Sequence, residues 1–140
     1  VNYRRTVVTA LLGTALLLAA CSKASQSASP AAGAQIYAAN CSNCHQANGQ
    51  GAPGAFPPLA GSEIVAGDAT RMIHIVKYGL AGPVAVAGKT YDGQMPAWSP
   101  HISDAAIASV ITYVRSSWGN RAAAVTAADV TAVTRAGSSP

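Results

Sequence analysis

The sequence predicts an all-α fold: one small domain of three main helices, with a short β-hairpin beside them. Three observations carry this. The 140 residues fit one domain and leave no room for two ordinary ones. Met72, Ile75, Val76 and Gly79 share one face at helical spacing. Only Val84 to Tyr91 alternates in the manner of a strand, and it contains a Gly turn. About 50% of residues are hydrophobic and 10% charged, which excludes an acidic disordered polymer and a highly charged long helix.

The first element reads as an address. Arg4 and Arg5 precede an apolar stretch from Thr6 to Ala20. As a helix it would span roughly 22 Å, short of a bilayer core of about 30 Å, so it has signal-peptide length. It ends Leu18-Ala19-Ala20-Cys21, which looks like a bacterial lipobox. That resemblance implies cleavage before Cys21 and a lipid on its sulfur. Residues 1–20 are therefore expected to be a lipoprotein signal peptide. Residues 21–32 follow as a flexible tether, rich in Ser, Ala, Gln and Pro with a single Lys. The expected location is periplasmic, lipid-anchored to the bacterial membrane. From Lys23 onward seven basic residues face five acidic ones, a net +2 with no Lys/Arg cluster. No nucleic-acid partner is expected.

Helix one is expected from about Ala31 or Gly33 to Cys44. It carries Cys41-Ser42-Asn43-Cys44-His45, and C-x-x-C-H reads as a c-type haem attachment site. Haem offers two vinyl groups on adjacent pyrroles, and one thiol can capture each. Cysteines three apart lie on one face of a helix. His45, next in the chain, is then placed to ligate the iron. A structural zinc site needs four ligands, and no second Cys pair exists. A thioredoxin-like dithiol would sit in a βαβ context, which the sequence lacks. One covalent haem c is therefore expected. With Cys21 lipidated, all three cysteines become thioethers and no disulfide forms.

Gln46 to Pro58 is rich in Gly, Ala and Pro and reads as loop. Helix two is expected over Ala69 to Tyr78, with Asp68 as N-cap and Gly79 as the stop. His74 falls on its more polar side, beside Lys77 and Tyr78, and is expected to be solvated or hydrogen-bonded and not a ligand. The hairpin over Val84 to Tyr91 comes next. Met95 then sits in a loop, Asp92-Gly93-Gln94-Met95-Pro96, and is the expected second axial ligand. Met72 is the rival, but its helical spacing points to core packing. Helix three is expected from the Ser103 N-cap to near Trp118, with His101 a surface or capping residue at its entrance. Thr126 and Asp129 suggest a capping box for a last short helix to Arg135.

Gly33, Tyr37 and Cys41 at i+4 spacing, Val110 and Tyr113 in helix three, C-x-x-C-H and Gly-Gln-Met-Pro together resemble the class I monohaem cytochromes c. The resemblance covers about Gly33 to Gly119. It implies a class I cytochrome c fold over 33–119 and a C-terminal extension over 120–140. It implies that helix one crosses the C-terminal helix closely along the Gly33-Tyr37-Cys41 stripe. It implies that a proline carbonyl, of Pro57 or Pro58, accepts the proton of the far His45 nitrogen. It also implies that Leu59 packs on the porphyrin. Pro57-Pro58-Leu59-Ala60-Gly61 and Trp118-Gly119-Asn120 look like cytochrome domains of membrane-bound quinoprotein dehydrogenases and terminal oxidases.

The expected function follows. With both axial positions filled, the iron passes one electron at a time and binds no substrate. No carboxylate pair, Ser/His/Asp set or phosphate loop points to an enzyme. A labile Met95 would instead open the site to peroxide or a diatomic gas. Expected partners are a dehydrogenase or bc1-type donor and a terminal oxidase or reductase, met as a monomer or a complex subunit. Without haem the chain is expected to be unfolded or molten.

Overall fold

Proline costs least at the first position of a helix, where its missing N–H would have no partner. Pro30 occupies that position in α1 (Pro30–Asn40). The computed structural model describes residues 29–136, so the expected signal peptide, Cys21 and most of the tether lie outside the described residues. The tether bound at residue 32 is corrected: residues 30–32 already belong to α1.

Helix one is also two pieces. Cys41 (φ −113°, ψ −32°) separates α1 from α2 (Ser42–His45). A short α3 (Glu63–Ala66) lies between the predicted loop and the second predicted helix, where no element was expected. Next, α4 (Ala69–Tyr78) has the expected bounds. The Asp68 side chain accepts from the Thr70 N–H, and Gly79 turns the chain out at φ +80°. A side chain at Gly79 would stand 2.6 Å from the Met95 carbonyl oxygen. Glycine is thus needed both for the left-handed turn and for the passing strand.

The hairpin is longer than expected. It comprises β1 (Leu80–Val86) and β2 (Lys89–Met95), antiparallel, with Leu80 opposite Met95 and Val86 opposite Lys89. Ala87 and Gly88, both at positive φ, form the two-residue turn. Met95 therefore ends a strand and is not in a free loop.

In α5 (Asp104–Ser116), Ser103 caps the Ala106 N–H as expected. It crosses α1 at Gly33, where a Cβ would fall on the Ser109 carbonyl and 2.7 Å from the Tyr113 Cβ. Ile73 of α4 and Ile107 and Ile111 of α5 are buried at the centre.

The segment after Trp118 belongs to this core. In α6 (Ala127–Ala132) Thr126 and Asp129 form the capping box. Val125, Val130 and Val133 are buried in the same cluster. The helix stops at Ala132, short of Arg135, because Val133 turns extended. The buried Lys77 ammonium donates to the Val130 and Val133 carbonyls at 2.7 and 3.0 Å, and the Tyr78 hydroxyl donates to Val133 at 3.0 Å. Residues 120–136 are thus a built part of the domain and not an appendage. The same return covers His74, which is buried with its ring edge to Tyr78 and its Nε2 3.3 Å from the Arg135 carbonyl. Of the two expected states, solvated or hydrogen-bonded, the ring adopts the second, in a buried place. His101 is exposed.

Candidate functional site

A polar ring or thiol in an apolar cleft must be held by the backbone around it. The Cys41 N–H donates to the Tyr37 carbonyl at 2.9 Å, and the His45 N–H donates to the Cys41 carbonyl at 2.9 Å. These bonds carry Cys41, Cys44 and His45 along one helical turn. The Gly51 N–H closes the other side on the His45 carbonyl at 2.9 Å.

His45 Nδ1 lies 3.0 Å from the Pro57 carbonyl oxygen. A carbonyl only accepts, so Nδ1 carries the proton and Nε2 is left with its lone pair. The acceptor is Pro57 and not Pro58, although both prolines border the same space. Burial holds the His45 imidazole below its ordinary pKa, and the Pro57 bond opposes this in part. The ring is thereby neutral at neutral pH, as ligation of a metal requires. The loop carrying Pro57 is itself anchored. Leu59 and Ala60 donate to the Gly49 carbonyl, and the Asn120 amide bonds both Leu59 and Gly61.

These residues border a cleft that opens to solvent. One wall holds Cys41, Cys44 and His45. Val110, Ile111 and Val114 of α5 form another, with Met72, Ile75 and Val76 of α4. The hairpin contributes Leu80, Val84, Val86, Tyr91, Gly93 and Met95. In the alternating register these lie on its inward face, and Gln94 of the other face meets the cleft at its rim. Leu59 borders the cleft as well, packed against the core. Every expected site residue in the described region is therefore brought together here. Met72 joins them: it is buried in the core, as its spacing predicts, and also borders the cleft.

The donor set suits one kind of guest. Among the described residues, no Asp, Glu, Lys or Arg borders the cleft. Among the described residues, no group of three His, Cys, Asp or Glu is placed to hold a bare ion. Burial and the neighbouring Cys44 push the Cys41 thiol up to about 11. A nucleophilic or redox-active thiol is shifted the other way. Two thiols, a neutral imidazole and thioether sulfurs in an apolar slot fit a flat macrocycle attached through sulfur.

Sequence reading missed the contributions of Trp98 and Ser62 to this cleft, whereas Tyr91 falls within the predicted hairpin.

A model of the cytochrome c family matches residues 30–118. The chain belongs to the cytochrome c family. Its members bind covalent haem c, and the mostly helical fold with one two-stranded hairpin is that of a class I cytochrome. Cytochrome c-552 of Thermus thermophilus is 46% identical over 92 residues, covering 63% of this chain and 69% of that protein. The cytochrome c subunit of the quinone alcohol dehydrogenase of Gluconobacter oxydans is 37% identical over 107 residues. That match covers 71% of this cytochrome but only 21% of the subunit. The CcoP subunit of the cbb3-type cytochrome c oxidase of Azospirillum brasilense is 32% identical over 95 residues, 64% of this chain and 28% of the subunit.

Proposed function

We propose that this cytochrome is a one-electron carrier whose iron is held by His45 and Met95, with Cys41 and Cys44 as the thioether anchors. When bound, haem c supplies the ferric–ferrous couple. The protein's part is to fix the ligands, exclude water and present the cleft to a partner. The carrying observation is that His45, oriented by Pro57, and Met95, at the end of a paired strand, border one uncharged cleft. Met95 is favoured over Met72 because Pro96 follows it and it is less buried, whereas Met72 lies within a packed helix.

The partners are membrane-associated respiratory or dehydrogenase proteins. Subunits of a quinone dehydrogenase and of an oxidase among the relatives support this class. Cys21 carries the lipid in this reading, and the tether lets the domain search locally at a periplasmic membrane face. Cys21→Ser is expected to release a soluble, haem-loaded protein, and continued membrane retention would count against the anchor.

A redox titration with near-infrared absorption tests the ligand set. A reversible one-electron couple with a weak sulfur-to-iron band is expected. Rapid binding of carbon monoxide to the ferrous protein would favour the open, gas- or peroxide-responsive reading instead.

A further inference from the structure

Charge is distributed in this domain with a marked gap. From residue 24 to residue 62 the sequence holds no Asp, Glu, Lys or Arg, a stretch that includes α1, the haem-attachment turn and the Pro57 loop. The gap continues in space. Ala55, Gly93, Gln94 and Pro96 are exposed yet border the cleft, so they form part of its rim. A Cβ on Gly93 would stand 3.5 Å from the Ala55 carbonyl, so loop and hairpin meet there. Beside this rim the outward side of β1 exposes Ala81, Pro83 and Ala85.

Among the described residues, the exposed charges sum to no net excess of either sign. Lys77 and Arg115 are buried, and Lys77 Nζ and Arg115 Nε and Nη1 donate to backbone carbonyls. Exposed Arg71, Lys89, Arg121 and Arg135 are balanced by exposed Glu63, Asp68, Asp92 and Asp129. On the hairpin itself, Lys89 and Asp92 offset one another. Electrostatic steering requires a patch of one sign, and this rim has none. An oppositely charged partner would gain nothing here, and a charged patch would lose hydration without a counter-charge.

We propose that this rim is the docking face for a redox protein that presents its own uncharged, apolar patch, in a short-range encounter almost independent of salt. The inference rests on the electron-carrier reading and adds the chemistry of the partner. A second copy of this chain presents such a patch and serves as the test partner. In that exchange one electron leaves a ferrous copy and enters a ferric copy, and no bond or proton moves.

Electron self-exchange is measured by NMR line broadening in mixtures of reduced and oxidised holoprotein. Between about 0.01 M and 1 M ionic strength the Debye length falls from about 30 Å to about 3 Å. The rate is expected to change less than about threefold over that range, and a larger change overturns the proposal. An Ala55→Lys, Gln94→Lys variant places like charges on both rims. It is expected to exchange about tenfold more slowly at low salt and to recover at high salt. The control is Ala124→Lys, Ala128→Lys, at exposed positions that do not border the cleft. It adds the same net charge and is expected to slow exchange less than about threefold. Equal slowing by both pairs, or slowing by neither, overturns the assignment of the face. Failure of the carrier reading looks different: a mediated titration would then show no reversible one-electron couple in any variant.

Discussion

The Tyr37 hydroxyl donates to the Gln46 carbonyl at 2.6 Å, while the Tyr37 carbonyl accepts from the Cys41 N–H at 2.9 Å. One residue therefore brackets the turn that carries both thiols and His45. Gln46 has φ +62°, a region that side chains other than glycine occupy at a cost. The hydroxyl holds the chain in that conformation as it leaves His45. Burial, with Cys41 and Tyr113 adding to it, lifts the Tyr37 phenol well above its ordinary pKa, so it remains a donor.

Tyr37→Phe removes the hydroxyl and keeps the ring against Tyr113 and Trp118, at centroid distances of 5.5 and 5.0 Å. The expected loss is about 1 kcal/mol, read from denaturant unfolding of the holoprotein. Tyr37→Ala also empties the ring site and is expected to cost about 3–5 kcal/mol. A Phe variant as stable as the native protein would show that the Gln46 bond contributes nothing.

Gly33 marks the closest approach of α1 to α5. Even a methyl group there meets the Ser109 carbonyl and the Tyr113 Cβ, both parts of a packed helix that cannot swing aside. Gly33→Ala would ordinarily favour a helix by about 1 kcal/mol. Here the clash is expected to dominate, with a net loss of about 1–3 kcal/mol in thermal or denaturant unfolding. A stabilised variant would mean that the two helices can separate freely.

The features legible in the sequence are those whose cause is local. Asp68 and Gly79 bound α4 because capping and the left-handed turn act within a few residues. Cys41, Cys44 and His45 share one turn because their spacing sets their geometry. The features misread depend on distant chain. His74 looks polar beside Lys77 and Tyr78, and only the return of residues 130–135 buries it. Pro57 and Pro58 are equivalent as a sequence, and the approach of His45 alone separates them. The hairpin reaches Met95 through cross-strand pairing with Leu80, despite Gly82-Pro83.

Acid is expected to loosen the tip of that hairpin. The Glu63 carboxylate accepts the Ala87 N–H at 3.1 and 3.0 Å, tying the turn to the start of α3. Its own backbone N–H, then that of Ala87, hold the carboxyl below its ordinary 4.5. The unfolded chain therefore binds this proton more readily than the native one. The tie is complete above pH 4.5 and is lost as pH falls through the lowered native value. Amide hydrogen exchange at Ala87 is expected to lose protection in that window, and Glu63→Gln to weaken protection at neutral pH. Unchanged protection in both cases would remove Glu63 from the turn.

The two methionines separate by experiment because they differ in what holds them. Met72 is buried within α4 and joins the cluster with Ile73 and Ile107. Met95 is half-buried at the end of β2, where Gly79 lets the strand pass close. The chain after it is fixed to α4: the Trp98 N–H donates to the Val76 carbonyl and the Ser99 N–H to the Lys77 carbonyl, both at 3.1 Å. Met72→Ala is expected to cost about 2–5 kcal/mol of stability and leave the visible and near-infrared spectra unchanged. Met95→Ala is expected to abolish the sulfur-to-iron band, lower the potential and admit external ligands, with a smaller loss of stability. The opposite pattern would move the axial ligand from the hairpin to α4, because both sulfurs border the same cleft and only one can fill the position.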